Sequence, residues 1–224
     1  MQKKSKILYV EVNDQGICKL NDKKFSSVVL VANTKKTAVR IAESFDVERI
    51  EEVFPIGEKM NKDTHAFDSV EFVNYDTNTT RYMCAALPVD FTDTIAREAV
   101  DTFRGVHTLI RLDTVENILF RHYADFTSEP MWILLPQSDG LRVLHTAWSL
   151  PRGAYTISSH PDLRREELER AWMDSQKEGF APERVVLLDT EDGVGYGWTL
   201  RFFAKKNAVL EVELFDLDKF VSKY

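Results

Sequence analysis

The sequence predicts a mixed α/β protein in which one unit, strand–strand–strand–helix–strand, occurs twice. Short apolar runs separated by turn residues open the chain, at residues 6–12, 16–20 and 26–32, ahead of a helix-spaced stretch. The same order returns after the break Thr127-Ser128-Glu129-Pro130. A chain of 224 residues, 44% hydrophobic and 29% charged, can bury the core of one large domain or of two lobes.

In the first copy, Asn13-Asp14-Gln15-Gly16 and Asn21-Asp22 separate the three runs and predict an antiparallel meander. Residues 34–45 follow, with Ala38, Ala42 and Phe45 at helical spacing and no Gly or Pro, which predicts an amphipathic helix. Residues 46–67 mix charges with Pro55 and Gly57 and show no regular period, so the stretch near 46–80 reads as an insertion. Within it, residues 69–75 and the run 79–87 flank Asp76-Thr77-Asn78 as a hairpin. Phe91, Ile95, Ala99, Val100 and Phe103 line one helix face that Gly105 can end, and residues 107–112 form a short buried strand. Asp113-Thr114-Val115-Glu116 has capping-box spacing with Asp113 in the cap, and Val115, Ile118, Leu119, Tyr123 and Phe126 continue a helical stripe.

In the second copy, strands at 131–135 and 141–147 flank the turn Ser138-Asp139-Gly140, and a third strand covers 153–158. Pro161 suits a first helical turn, with acidic residues at its start and Leu168, Ala171 and Trp172 as the buried stripe. A strand at 184–189 follows. Residues 196–204 and 208–215, joined by Lys205-Lys206-Asn207, read as a closing hairpin. The break divides the chain into a first lobe, 1–127, and a shorter second lobe, 128–224.

A net charge of −7 and a pI near 5.3 argue against nucleic acid as partner, because such binding relies on Lys and Arg displacing counterions from phosphates. Two cysteines, Cys18 and Cys84, give no disulfide framework and suit a reducing cytosol. The start MQKKSKILYVEV lacks the apolar core of a signal peptide, and no apolar run reaches the ~18 residues of a membrane helix. Membrane contact would then come through a partner.

Three antiparallel strands, a crossover helix and a parallel strand make the ribonuclease H-like core, and two in tandem make the actin and sugar-kinase architecture. The stretch YMCAALPVDFTDTIAREAVDTFRGVHTLIRLDTVENILFRHY, residues 82–123, resembles the actin-like ATPase superfamily. Its likeness is to the branch serving type IV pilus and type II secretion machines, the PilM and GspL type. Ala85-Ala86-Leu87-Pro88 stands at that branch's small-residue corner, residues 96–103 at its helix and 109–117 at the following strand and helix start. MWILLPQSDGLRVLHTAWSLPRG, residues 131–153, stands at its second phosphate hairpin, with Arg152-Gly153 at the exit.

Nucleotide-binding members of that superfamily carry Asp then Gly after the first strand, so that a carboxylate holds hydrated magnesium and backbone amides approach phosphate. Here the stretch is VEVNDQG, residues 10–16: Glu11 and Asp14 are acidic, but Asn13 and Gln15 stand where Gly is wanted. In LLPQSDG, residues 134–140, Leu135 and Pro136 replace the carboxylate and small residue before Ser138, Asp139 and Gly140, and Pro136 lacks an N–H. In LDTEDGVGYG, residues 188–197, Asp189, Glu191 and Asp192 precede Gly193 and would repel a polyanion. These degenerate loops predict no catalytic residues, no metal and no cofactor. The resemblance implies a cytoplasmic scaffold without strong ATPase activity, peripheral at the inner membrane through a partner. That partner would be the cytoplasmic tail of a bitopic membrane protein or an assembly ATPase. One alternative is a working Mg-ATP-binding protein with Glu11 or Asp14 on the metal; another is an accessory or prophage protein with an unrelated interaction.

Other constellations read as ordinary structure. Gly193, Gly195 and Gly197 precede the β-like Trp198-Thr199-Leu200-Arg201, so they mark a turn. Glu11, Asp14, Asp90 and Asp139 read as turn and cap residues in an acid-rich chain. His65, His107, His122, His145 and His160 show no ligand spacing, and Cys84 reads as a buried small residue. Arg164-Arg165-Glu166-Glu167 with Glu169-Arg170 is a solvated helix face.

Overall fold

The computed structural model describes residues 7–18, 27–44, 64–103, 109–124, 128–137, 140–158, 160–188, 197, 201, 205 and 211–216. In chain order these form β1 (Ile7–Asn13), β2 (Gly16–Ile17), β3 (Ser27–Ala32), β4 (Ala38–Ala42), β5 (His65–Asn74), β6 (Thr79–Pro88), α1 (Val89–Thr102), β7 (Leu109–Thr114) and α2 (Val115–Ala124). There follow β8 (Met131–Gln137), β9 (Gly140–Ala147), β10 (Leu150–Ser158), α3 (Pro161–Lys177), β11 (Arg184–Leu188) and β12 (Glu211–Phe215).

The second predicted unit is present. Strands β8, β9 and β10 form an antiparallel meander, and β11 returns after α3 to lie parallel to β8, giving the sheet order β10-β9-β8-β11-β12. All seven residues of β8, MWILLPQ, are buried, as a strand covered on both faces requires. On one face Trp132, Leu134, Val143 and Leu187 meet Leu168 and Trp172 of α3, and the Trp132 and Trp172 rings pack edge to face at 5.9 Å.

Most of the predicted closing hairpin, at residues 196, 198–200, 202–204 and 206–210, lies outside the described residues, and what is described there does not pair as a hairpin. Strand β12 runs parallel to β11, and the described residues between them, Gly197, Arg201 and Lys205, are helical. A parallel neighbour is reached through a long crossover connection and not through a tight hairpin turn, so β12 cannot follow β11 as the next arm of a meander.

The first unit departs further. Strand β2 pairs antiparallel with β1, but β3 pairs parallel with it and β7 parallel with β3, so the meander stops after one hairpin. The helix expected at residues 34–45 is instead strand β4, which pairs with β6 in a separate antiparallel sheet of order β4-β6-β5. Its alternation explains this: Val39 and Ile41 pack into the main core, while Ala38 and Ala42 join Cys84 and Ala86 on the opposite face. A spacing of four residues fits one face of a strand as well as one face of a helix.

Helix α1 matches its predicted span. Phe91, Ile95 and Ala99 pack on Val10, Val12, Val28 and Leu30, although Val100, read as part of that face, is 63% exposed. Helix α2 is the centre of the molecule. Its Val115, Leu119, Phe120 and Tyr123 share one core cluster with Val31 of β3, Phe72 and Met83 of β5 and β6, and Ile133, Leu144 and Val186 of the five-stranded sheet. Each such large side chain contributes about 1.5–3 kcal/mol by leaving water. The cap of α2 is Thr114, one residue later than predicted: its Oγ1 accepts the Asn117 N–H at 3.2 Å.

The β9–β10 connection is a two-residue turn in which Trp148 (φ 54°) and Ser149 (φ 60°) are both left-handed. Such a turn favours Asn-Gly, and each non-glycine residue there costs about 1–2 kcal/mol. Ser149→Gly should therefore raise stability by about 0.5–1 kcal/mol after the glycine entropy cost is deducted, which a urea-unfolding midpoint would register. Beyond the turn a β-bulge sets Arg152 out of register, and its guanidinium lies 4.8 Å from the Trp148 ring and 5.0 Å from Phe180.

Candidate functional site

The carboxyl ends of β1, β3 and β7 lie side by side, and register sets Glu11, Val31 and Asp113 in one row across the sheet. In open sheets with parallel strands, ligand sites gather at such carboxyl ends. Polar side chains do gather here. Asn33 donates to Glu11 Oε1 at 3.1 Å, and the Thr34 hydroxyl donates to Asp14 Oδ1. Thr34 also accepts, at Oγ1 from the Lys36 N–H at 3.2 Å and at its carbonyl from the Thr37 N–H at 3.1 Å. From the far side Gln137, at the end of β8, reaches the same carbonyl with Nε2 at 3.5 Å. The turn after β3 thus joins the β1–β2 hairpin to the β8–β9 hairpin.

The β1–β2 hairpin turns on Gly16, whose φ of +121° is one that L side chains rarely adopt. Its amides are engaged from within the chain. Gln15 N–H donates to Asn13 Oδ1 at 2.9 Å, and Ile17 N–H donates to Glu98 Oε1 of α1 at 3.1 Å. A Cβ built on Gly16 would come 2.7 Å from Glu98 Oε2, so the carboxylate presses against the turn itself. The Glu98 carboxylate thus sets a negative charge directly against the hairpin turn.

The first turn of α2 follows directly from the end of β7 beside these groups. Asp113 accepts from the Thr114 N–H at 2.9 Å and from Asn117 Nδ2 at 3.2 Å, and pairs with Arg111 at 2.9 Å. Glu116 is fully buried and pairs at 2.5 Å with Arg142 of β9, itself 8% exposed. Burial pushes the Glu116 carboxyl up, against the opposing pull of Arg142 and a backbone hydrogen bond. Its second oxygen, Oε2, is buried with no hydrogen-bond partner among the described residues.

Of the residues singled out by sequence, Glu11, Asn13, Asp14 and Gln15 lie together on the first hairpin, and Gly140 begins β9 across the cleft. Ser138, Asp139, Asp192 and Gly193 lie outside the described residues. Gly140 has a packing reason: a Cβ there would come 2.2 Å from the Ile157 carbonyl oxygen. Thr34, Glu98, Glu116, Gln137 and Arg142 were not legible as site residues. Among the described residues, no group of three or more His, Cys, Asp and Glu could hold a metal ion. His145 donates from Nε2 to the Phe180 carbonyl at 3.0 Å, and burial pushes its pKa down to about 4, so it is a neutral structural histidine. Burial pushes the Cys84 thiol up to about 12, with the Asp68 charge adding to it.

Solved structures are similar to this chain in fold. A Bacteroides thetaiotaomicron VPI-5482 protein with an actin-like ATPase fold and unknown function superposes with a TM-score of 0.55 at 10% identity, over 88% of this chain and 73% of that one. The second, a PilM–PilN type IV pilus biogenesis complex, gives a TM-score of 0.52 at 11% identity, over 90% of this chain and 76% of the matched one. The chain has the actin-like ATPase fold. At the level of sequence, no protein-family model and no curated protein matches it. In the actin-like frame, the cleft between the two hairpins is where sequence reasoning set the phosphate loops. No helix among the described residues is long and apolar enough to cross a membrane.

Proposed function

We propose that this protein is a cytoplasmic actin-like scaffold for a type IV pilus or type II secretion-like envelope machine, acting without strong ATPase activity. Its two lobes, 1–127 and 128–224, would dock a protein partner. That partner is the cytoplasmic tail of a bitopic membrane protein or an assembly ATPase, which holds the scaffold at the inner membrane. The fold likeness to PilM in its complex with PilN supports the assembly role. The observation that carries the loss of nucleotide use is Glu98. A carboxylate on the Ile17 amide, against Gly16, puts negative charge where phosphate oxygens would have to approach. Glu11 and Asp14 point the same way, because Asn33 and Thr34 already hydrogen-bond to them.

Two measurements test this. A ligand bound with Kd a hundredfold below its concentration adds about 2.7 kcal/mol to stability, whereas millimolar Mg-ATP should leave the melting temperature unchanged. A clear magnesium-dependent rise that Asp14→Ala abolishes would instead establish a working nucleotide site. In the source cell, deleting the gene should abolish assembly of the surface filament or secretion machine, and both the natural gene and the Asp14→Ala form should restore it. Failure of the deletion to affect either machine would remove the assembly role.

A further inference from the structure

A groove of about 870 Å³ lies apart from these groups, with the end of β5 and its turn, from Glu71 to Asp76, on one side and the Trp148–Ser149 turn on the other. Successive residues of a strand point to opposite faces, so a groove lined by consecutive residues of β5 runs along its edge. Along Glu71 to Asn74 that edge has no strand beside it among the described residues, since β5 ends the β4-β6-β5 sheet and pairs there with β6. Its unpaired amides and carbonyls are a template for an added strand.

The facing wall is the left-handed Trp148–Ser149 turn, strained at two positions yet tied in place. Trp148 N–H donates to the Ser128 carbonyl at 2.8 Å, and the Trp148 carbonyl accepts from Asn74 Nδ2 at 2.9 Å. Backbone strain held by its surroundings points toward function. Both rings at the groove are exposed, Tyr75 by 89% and Trp148 by 45%. The charged side chains lining it, Glu71 and Asp76, are both acidic. Arg152, which stacks on Trp148, lines the neighbouring groove against α3 and not this one.

We propose that this groove docks an extended, Lys- or Arg-bearing segment of a partner protein, added as a strand along β5. Its cationic side chain would lie between the rings of Tyr75 and Trp148 and the carboxylates of Glu71 and Asp76. Main-chain hydrogen bonds supply affinity in this mode, and the rings and acids select a cation. The same acids reject acidic segments, including a second copy of this chain with its net charge of −7. The site is separate from the cleft and holds whether or not the protein serves a pilus machine.

The test uses the full chain and a fluorescein-labelled nonapeptide of alternating valine and lysine, followed by anisotropy. Binding should weaken about fivefold in the pair Glu71→Gln with Asp76→Asn, and again in Tyr75→Ala with Trp148→Ala, and should fall as salt rises. It should be lost when lysine is replaced by glutamate or when alternate peptide amides are N-methylated. These side chains are on the surface, and unchanged circular dichroism and unfolding midpoints would confirm that the variants stay folded. Equal binding of the glutamate peptide, binding untouched by both pairs of substitutions, or no binding at all would overturn the proposal. So would self-association of the chain that the peptide fails to displace.

Discussion

Gly140→Ala should destabilise the protein by about 3 kcal/mol, near the upper end for forcing extra atoms into a packed site. The added Cβ would lie 2.2 Å from the Ile157 carbonyl oxygen, 3.3 Å from its carbonyl carbon and 3.2 Å from Thr156 Cγ2. Two of those three atoms are backbone, so no rotamer change relieves the clash. Gly140 opposes Ser158 at the far end of the β9–β10 ladder, and the strands must separate there or shift. Gly153 is the control. A Cβ there meets nothing within 4 Å, so Gly153→Ala should change stability by less than about 0.5 kcal/mol. Urea unfolding of both variants would separate a steric requirement from a general intolerance of glycine replacement in the hairpin. Loss of stability in Gly153→Ala equal to that in Gly140→Ala would sink the argument.

That contrast bears on how the sequence was legible. Gly140 and Gly153 both fit a phosphate-hairpin pattern, but only the approach of a neighbouring strand distinguishes them, and that approach is a long-range fact. Local pattern served well where only one reading fits it. In α1, Phe91, Ile95 and Ala99 face the core as their spacing requires, and β8 declares itself by an unbroken apolar run. It served badly where two periods coincide. Ala38 and Ala42 sit on one face of helix or strand alike, and the pairing of β4 with β6 decides between them. The stretch at residues 196–204 is apolar enough for a strand, yet the parallel seat of β12 demands a crossover.

The cleft was legible only in part for the same reason. Glu11, Asn13, Asp14 and Gln15 are consecutive or nearly so, and a hairpin brings them together by itself. Glu98 arrives from the border of an amphipathic helix 81 residues away, where a carboxylate looks like any solvated charge. Gln137 meets Thr34 across 103 residues, and Arg142 meets Glu116 across 26. No spacing rule announces such partners, since each is chosen by how elements distant in the chain pack together.

Arg142→Met should cost about 3–5 kcal/mol near neutral pH, the range for removing one partner of a buried ion pair. Glu116 is wholly enclosed and has one oxygen without a hydrogen-bond partner among the described residues, so Arg142 is the main counterweight to burial. Without it the carboxyl rises further from its ordinary value of 4.5. The sign of the pH effect follows. A carboxyl raised in the folded state binds its proton more tightly folded than unfolded, so its favourable contribution is complete below the unfolded value. That contribution is lost as pH climbs through the folded value. The deficit of Arg142→Met relative to the natural protein should therefore shrink as pH falls toward 4.5 and reach its full size well above it. Glu116→Leu added to Arg142→Met removes the stranded carboxyl, and the double variant should recover most of the lost stability, because matched apolar replacement of a buried pair is often neutral. Denaturant unfolding across pH reads both effects. A deficit that stays constant with pH and persists in the double variant would mean that the Arg142 side chain matters for its packing, and that the charge in the first turn of α2 does not.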